Sequence, residues 1–237
     1  KEIKIQKARL HPITDFLKKA QVKIELSQNC SKSKDTVYKT YRFQLTNRNL
    51  KSIVKNLYVN WLFFWNNSQE GLVRIRKRIA VEERKTKLYF DSLETLKQHK
   101  PDLVFCTNQR ITLAVAPILA AQDLGIPTTT FIFSWDNLPK GTKVLETDFY
   151  FVWSQHMKDE LLYYYPYVNE NQISITGTTQ FETHFNKSWL ESKETFFNLH
   201  GLDWNKKHIC FSGDDITTSP NDPQYLSDVA DAIRLLN

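Results

Sequence analysis

From residue 100 onward the chain alternates short apolar runs with helical stretches of roughly ten to fifteen residues, and that alternation leaves few folds open. Pro101-Asp102 opens a run at 103–107, a helical stretch at 111–124 stops at Gly125, and Ile126-Pro127 leads into a second run at 129–133. A third run occupies 149–153. A helix then starts after Ser154, a residue suited to an N-cap, and stops before Pro166, and a fourth run at 172–176 closes on Gly177. Strands separated by helices and short loops predict a mostly parallel sheet with right-handed crossovers, flanked by helices, so the fold class is α/β.

The runs at 129–133 and 149–153 are rich in β-branched and aromatic residues, as expected of strands buried on both faces. Between them lies Ser134-Trp135-Asp136-Asn137-Leu138-Pro139-Lys140-Gly141. Ligands of open parallel sheets bind beyond the carboxyl ends of the strands, so Trp135, Asp136 and Asn137 form a candidate site. The competing reading makes Asp136 and Asn137 a helix cap or an Asx-turn, the commonest use of these residues after a strand. The sequence leaves both open.

The net charge of +6 hides a division. Residues 1–100 carry 23 Lys and Arg against 9 Asp and Glu, or +14; residues 101–237 carry 9 against 17, or −8, and the two sum to +6. The basic half calls for an anionic partner, and no zinc-finger, RNP or helix-turn-helix pattern argues for nucleic acid. Along it, residues 2–6 and 22–26 read as short strands, 9–20 as a helix, and the segment around Tyr38 and Arg42 as a third strand. His11 stands beside Pro12 at the start of that helix. It is a candidate general base, although a residue before a first-turn proline more commonly serves only to start the helix.

Residues 49–65 carry Leu50, Ile53, Val54, Leu57, Tyr58, Trp61, Leu62, Phe64 and Trp65 at helical spacing, and the expected use of such a stripe is to face the core, the competing reading being an interfacial helix whose rings enter lipid headgroups beside the basic cluster that follows. The next helix, 72–87, packs Arg74, Arg76, Lys77 and Arg78 into about one turn, a cluster suited to the phosphates of an anionic membrane.

After Gly177 the pattern restarts. Residues 187–200 read as helical, 207–212 as a strand, 213–223 as a polar loop and 223–236 as an amphipathic helix. A βα unit of that size cannot bury both faces alone, so the expected organisation is a first domain at 1–185, a linker helix at 186–205, and the start of a second domain at 206–237. Three cysteines without ligand spacing argue against a structural metal or a disulfide framework, and Cys106 and Cys210 are expected as small buried hydrophobes. No run of about 18 apolar residues and no signal-peptide pattern occurs, and the expected location is the cytoplasm.

Four motifs in order, Ser134-Trp135-Asp136-Asn137-Leu138, Phe151-Val152-Trp153-Ser154 with Met157-Lys158-Asp159-Glu160, Ile175-Thr176-Gly177-Thr178-Thr179-Gln180-Phe181, and Phe211-Ser212-Gly213-Asp214-Asp215, carry a resemblance. Over residues 100–237 the chain resembles bacterial surface-polysaccharide glycosyltransferases of the two-domain, Rossmann-like GT-B type. Thr179 and Glu182 depart from the Pro and Asp of that pattern. The resemblance implies an acceptor domain followed by a donor domain, and transfer of a sugar from a nucleotide sugar to a carbohydrate or lipid-linked acceptor. No cofactor is expected, and the basic cluster adds the expectation of a peripheral place on the inner face of the cell membrane. Nucleotide-sugar 2-epimerases share this architecture, and a carbohydrate-binding module without catalysis is the third possibility.

An inverting transfer needs a base for the acceptor hydroxyl and donors for the leaving diphosphate. Asp136, with His11 behind it, is the candidate base, and Trp135 and Asn137 would meet the acceptor. Backbone N–H groups at Ser212 and Gly213, the turn Gly177-Thr178, and the hydroxyls of Thr217 and Thr218 would meet the donor. No DxD stands where a bound metal would be expected.

Overall fold

The computed structural model describes residues 11–35, 49–216 and 219–236. The strands expected at 2–6 and around Tyr38, together with Thr217 and Thr218, lie outside them. The chain divides into two compact units, Lys1–Thr179 and Gln180–Asn237.

Among the described residues four helices open the first unit: α1 (Pro12–Ser33), α2 (Leu50–Asn66), α3 (Gln69–Glu83) and α4 (Lys87–His99). The sheet follows as β1 (Val104–Cys106), β2 (Thr128–Phe131), β3 (Phe149–Val152) and β4 (Ile173–Ile175), with α5 (Val115–Asp123) after β1 and α6 (Gln155–Tyr164) after β3. The strand order is β1-β2-β3-β4 and every neighbouring pair is parallel, as the alternation of the sequence predicts. Local chemistry sets the helix starts. Asn49, Ser68, Thr86 and Ser154 each accept a backbone N–H at the third helical position, satisfying a donor that the helix itself cannot.

Three apolar clusters hold these layers, one of them joining α4 to α5 through Tyr89, Ala116 and Ala120. A second joins α1, α2, α3 and α5 through Leu17, Ile24, Val59, Leu62, Ile75 and Ile118. The third packs α6 under β3 through Tyr150, Val152, Met157, Leu161 and Tyr165, with Leu138 seated in it.

The connection from β2 to β3, residues 132–148, is the departure from a regular alternation of strands and helices. It contains no helix, yet Leu138, Lys143 and Leu145 are almost wholly buried. A buried loop is tolerated only if its backbone polar groups find partners. Side chains from the surrounding elements supply them. Asn29 donates to the Pro139 carbonyl at 2.9 Å, Gln21 to that of Lys143 at 3.3 Å, Tyr165 to that of Leu138 at 3.2 Å, and Gln122 to that of Glu146 at 2.9 Å. Gly141 sits in the left-handed region (φ 66°), and a Cβ there would stand 3.0 Å from that of Glu25, so the loop also needs glycine at that point.

This service explains why the strand expected at 22–26 is instead the middle of α1. Gln21, Glu25 and Asn29 lie four residues apart on one helical face and are buried because each has a polar partner across from it. Burial of polar as well as apolar residues erased the helical period and left an alternation that looks like a strand. Cys30 is the cysteine buried by α1, whereas Cys106 is half-buried and Cys210 exposed, which corrects the expectation for Cys210.

The second unit contains α7 (Lys193–Leu199) and α8 (Asp222–Leu236), with 3-10 turns at Thr179–His184 and Lys187–Trp189. The linker helix expected over 186–205 is thus one short turn and a seven-residue helix. None of its described residues is buried, and the strand expected at 207–212 does not form: no other strand is present among the described residues of this unit to bond with it.

Candidate functional site

The carboxyl ends of β1, β2 and β3 bring Gln109, the turn 134–140 and the start of α6 to one end of the sheet. Gln109 is fully buried and acts as a clamp. Its side-chain oxygen accepts from Phe133 N at 2.9 Å, its amide nitrogen donates to Asn137 Oδ1 at 3.0 Å, and its carbonyl accepts from Val144 N and Leu145 N. Asn137 is buried in turn, and its own amide nitrogen donates to Asp136 Oδ1 at 3.1 Å. Both polar ends of Asn137 are therefore engaged within the turn. Trp135 is 64 % exposed, so of the two residues expected to meet an acceptor it is the one that reaches solvent.

Asp136 accepts from the Ser134 hydroxyl at 2.7 Å and pairs with the ammonium of Lys140, one turn further on. Burial alone would raise its carboxyl. Lys140 and Ser134 outweigh burial and hold it below the ordinary carboxylate range, so it is a fixed anion.

Glu160, on α6, is the contrasting group. Its Oε2 is buried without a hydrogen-bond partner, and His156 Nε2 lies 3.6 Å from its Oε1. Burial pushes the Glu160 carboxyl up, His156 opposes the rise, and the negative charge of Asp136 adds to it. One carboxyl is thus held anionic within electrostatic reach of another that takes up a proton more readily. Neighbouring carboxyls driven apart in acidity are the usual basis of acid–base assignments in active sites. The sequence marks Glu160 only as the last residue of the Met157-Lys158-Asp159-Glu160 motif and assigns it no role, since that signal is which face of α6 the turn lies against.

His11 is the N-cap of α1, with Nδ1 buried and unbonded, and its ring makes no cap hydrogen bond. Asn29, near the other end of α1, bonds to the 134–141 turn, and it stands 17 positions beyond Pro12, about 25 Å along the helix. The structure does not bring His11 to Asp136. Gly177 follows β4 in the left-handed region (φ 74°), where a Cβ would meet nothing, and Thr178 comes next, half-buried. In the second unit Ser212 and Gly213 are exposed. The carboxylate of Asp222 accepts from Asp214 N at 2.7 Å and would lie 3.0 Å from a Cβ on Gly213, so this loop already holds an anion of its own.

The expected membrane-facing cluster is divided by the fold. Arg74, Lys77 and Arg78 are exposed, but Arg76 points inward, with Nη2 2.8 Å from Glu25 Oε1 and Nε 3.1 Å from Glu146 Oε1. Its spacing on the helix, not its charge, decides this: Leu72, Ile75 and Ile79 face the core and Arg76 stands next to them. Among the described residues no group of His, Cys, Asp and Glu gathers as a metal site, and no helix is long and apolar enough to cross a membrane.

Comparison with known protein families, with curated proteins and with solved structures finds no match for this chain.

Proposed function

We propose that the protein is a sugar transferase, moving a sugar from a nucleotide-sugar donor to a polysaccharide or lipid-linked acceptor, with its acceptor chemistry at the carboxyl end of the four-stranded sheet. The observation that carries this reading is the pair Asp136 and Glu160. An acceptor hydroxyl must lose a proton as it attacks the sugar, and a base serves best when its pKa lies closer to working pH than that of an ordinary carboxylate. Glu160 meets that need better than Asp136, whose lone pairs are taken by Ser134, Asn137 and Lys140. In this reading Glu160 takes the proton, burial keeps Glu160 basic with the charge of Asp136 adding to it, and Trp135 offers its ring to a sugar face. The donor and acceptor class rests on the resemblance that the order of motifs carries.

The test is product analysis with a panel of nucleotide sugars, with and without glycan or lipid-linked acceptors. Transfer of label to an acceptor, with release of the nucleoside diphosphate, supports the reading. Free sugar released without an acceptor would make the protein an epimerase of the kind that shares this architecture, and no turnover with any donor would remove the catalytic reading altogether.

A further inference from the structure

The helix α2 is apolar on two sides, and only one of them serves the core. Val59 and Leu62 are buried against α1 and α3, while Leu50, Ile53, Val54, Leu57, Trp61, Phe64 and Trp65 run at steps of three and four along the opposite side and are exposed. Leu57 is 64 % exposed, Phe64 76 % and Trp65 63 %. At 100° per residue these seven positions fall within an arc of about 120°, so they form one continuous stripe. The sequence-based expectation that the stripe faces the core holds for Tyr58 and Leu62 and fails for these seven, because a second, narrower apolar side that includes Val59 does that work.

The surroundings of the stripe show what chemistry it suits. The helix α2 contains no acidic residue. At its aromatic end the guanidinium of Arg74 donates to the Trp65 carbonyl and to Asn66 Oδ1, both at 3.3 Å, which fixes a cation beside the rings. Lys77 and Arg78 continue along the exposed side of α3, neither within ion-pair distance of a carboxylate among the described residues. A protein surface would cover the apolar stripe, but it would leave this row of cations to be matched separately. An anionic bilayer offers both at once, since tryptophan and phenylalanine rings lodge among headgroups while lysine and arginine meet their phosphates.

We propose that the outer face of α2, flanked by Arg74, Lys77 and Arg78, docks the protein on an anionic lipid surface, with Trp61, Phe64 and Trp65 entering the headgroup layer. This docking is independent of what the protein catalyses.

The test is co-sedimentation with phosphatidylcholine vesicles with and without phosphatidylglycerol. The protein should bind the anionic vesicles and not the neutral ones, and the binding should fall steeply with salt, because such attraction is screened within about 8 Å at physiological ionic strength. Replacing Arg74, Lys77 and Arg78 together by Gln should weaken it about a hundredfold. Phe64→Ser with Trp65→Ser should abolish it while leaving the circular dichroism spectrum unchanged, since both side chains are exposed. Quenching of tryptophan fluorescence by brominated lipid should fall when Trp61 and Trp65 are replaced by Phe. Binding that survives the Phe64/Trp65 change, or no binding to either vesicle, overturns the proposal. Conversion of a dimer to a monomer by that change, without vesicle binding, would make the face a contact between copies of the chain instead.

Discussion

Arg76 Nη2 lies 2.8 Å from Glu25 Oε1, and this pair ties α3 to α1 inside the first unit. Burial pushes the Glu25 carboxyl up, whereas the surrounding carboxylates of Glu25 and Glu146 hold Arg76 charged against the same burial. Removing Glu25 leaves Arg76 its contact with Glu146, whereas removing Arg76 takes from the buried Glu25 its main positive partner. Arg76→Met should cost about 3–5 kcal/mol in urea unfolding, and adding Glu25→Leu to that variant should return a large part of the loss. If Arg76→Met unfolds like the wild type, the pair does not join the two helices.

The buried connection between β2 and β3 rests on side-chain amides. Asn29→Ala removes the donor to the Pro139 carbonyl and leaves that oxygen buried without a partner. The expected loss is about 1–3 kcal/mol, whereas Ser31→Ala, on the exposed side of the same helix, should stay within about 0.5 kcal/mol. Equal effects of the two changes would contradict this role for Asn29.

A pH titration of stability separates Asp136 from a passive turn residue. Its folded pKa is lowered, so its contribution is fully present above the ordinary value of about 3.9 and is lost as pH falls through the folded pKa. The stability gap between wild type and Asp136→Asn should therefore be widest near neutrality and close in acid. A gap that does not change with pH would mean that Lys140 and Ser134 do not stabilise the anion.

The sheet was legible in the sequence because parallel strands buried on both faces leave continuous apolar runs, and because Gly125, Ser154, Pro166 and Gly177 mark where elements stop or start. The α1 helix was not. Its buried polar residues, Gln21, Glu25 and Asn29, make sense only once the loop they serve is in place. The same limit applied to the site. Trp135 and Asp136 could be found from their position after a strand, but Gln109 and Glu160 draw their significance from the turn packed against them, and no spacing announces that. For α2 the sequence showed an apolar stripe and could not show that the helix has a second apolar side to give to the core.

The proposal that Glu160 takes the acceptor proton is tested most directly by the pH dependence of kcat for sugar transfer, comparing wild type with Glu160→Gln and Asp136→Asn. In the wild type kcat should rise with pH along a limb placed above the ordinary glutamate value of about 4.3, in keeping with the raised Glu160 carboxyl. Glu160→Gln should lower kcat by about a hundredfold or more and remove that limb. Asp136→Asn should keep the limb but move it to lower pH, since it removes the negative charge that helps to raise Glu160. A Glu160→Gln variant that turns over at the wild-type rate with an unchanged profile would contradict the assignment.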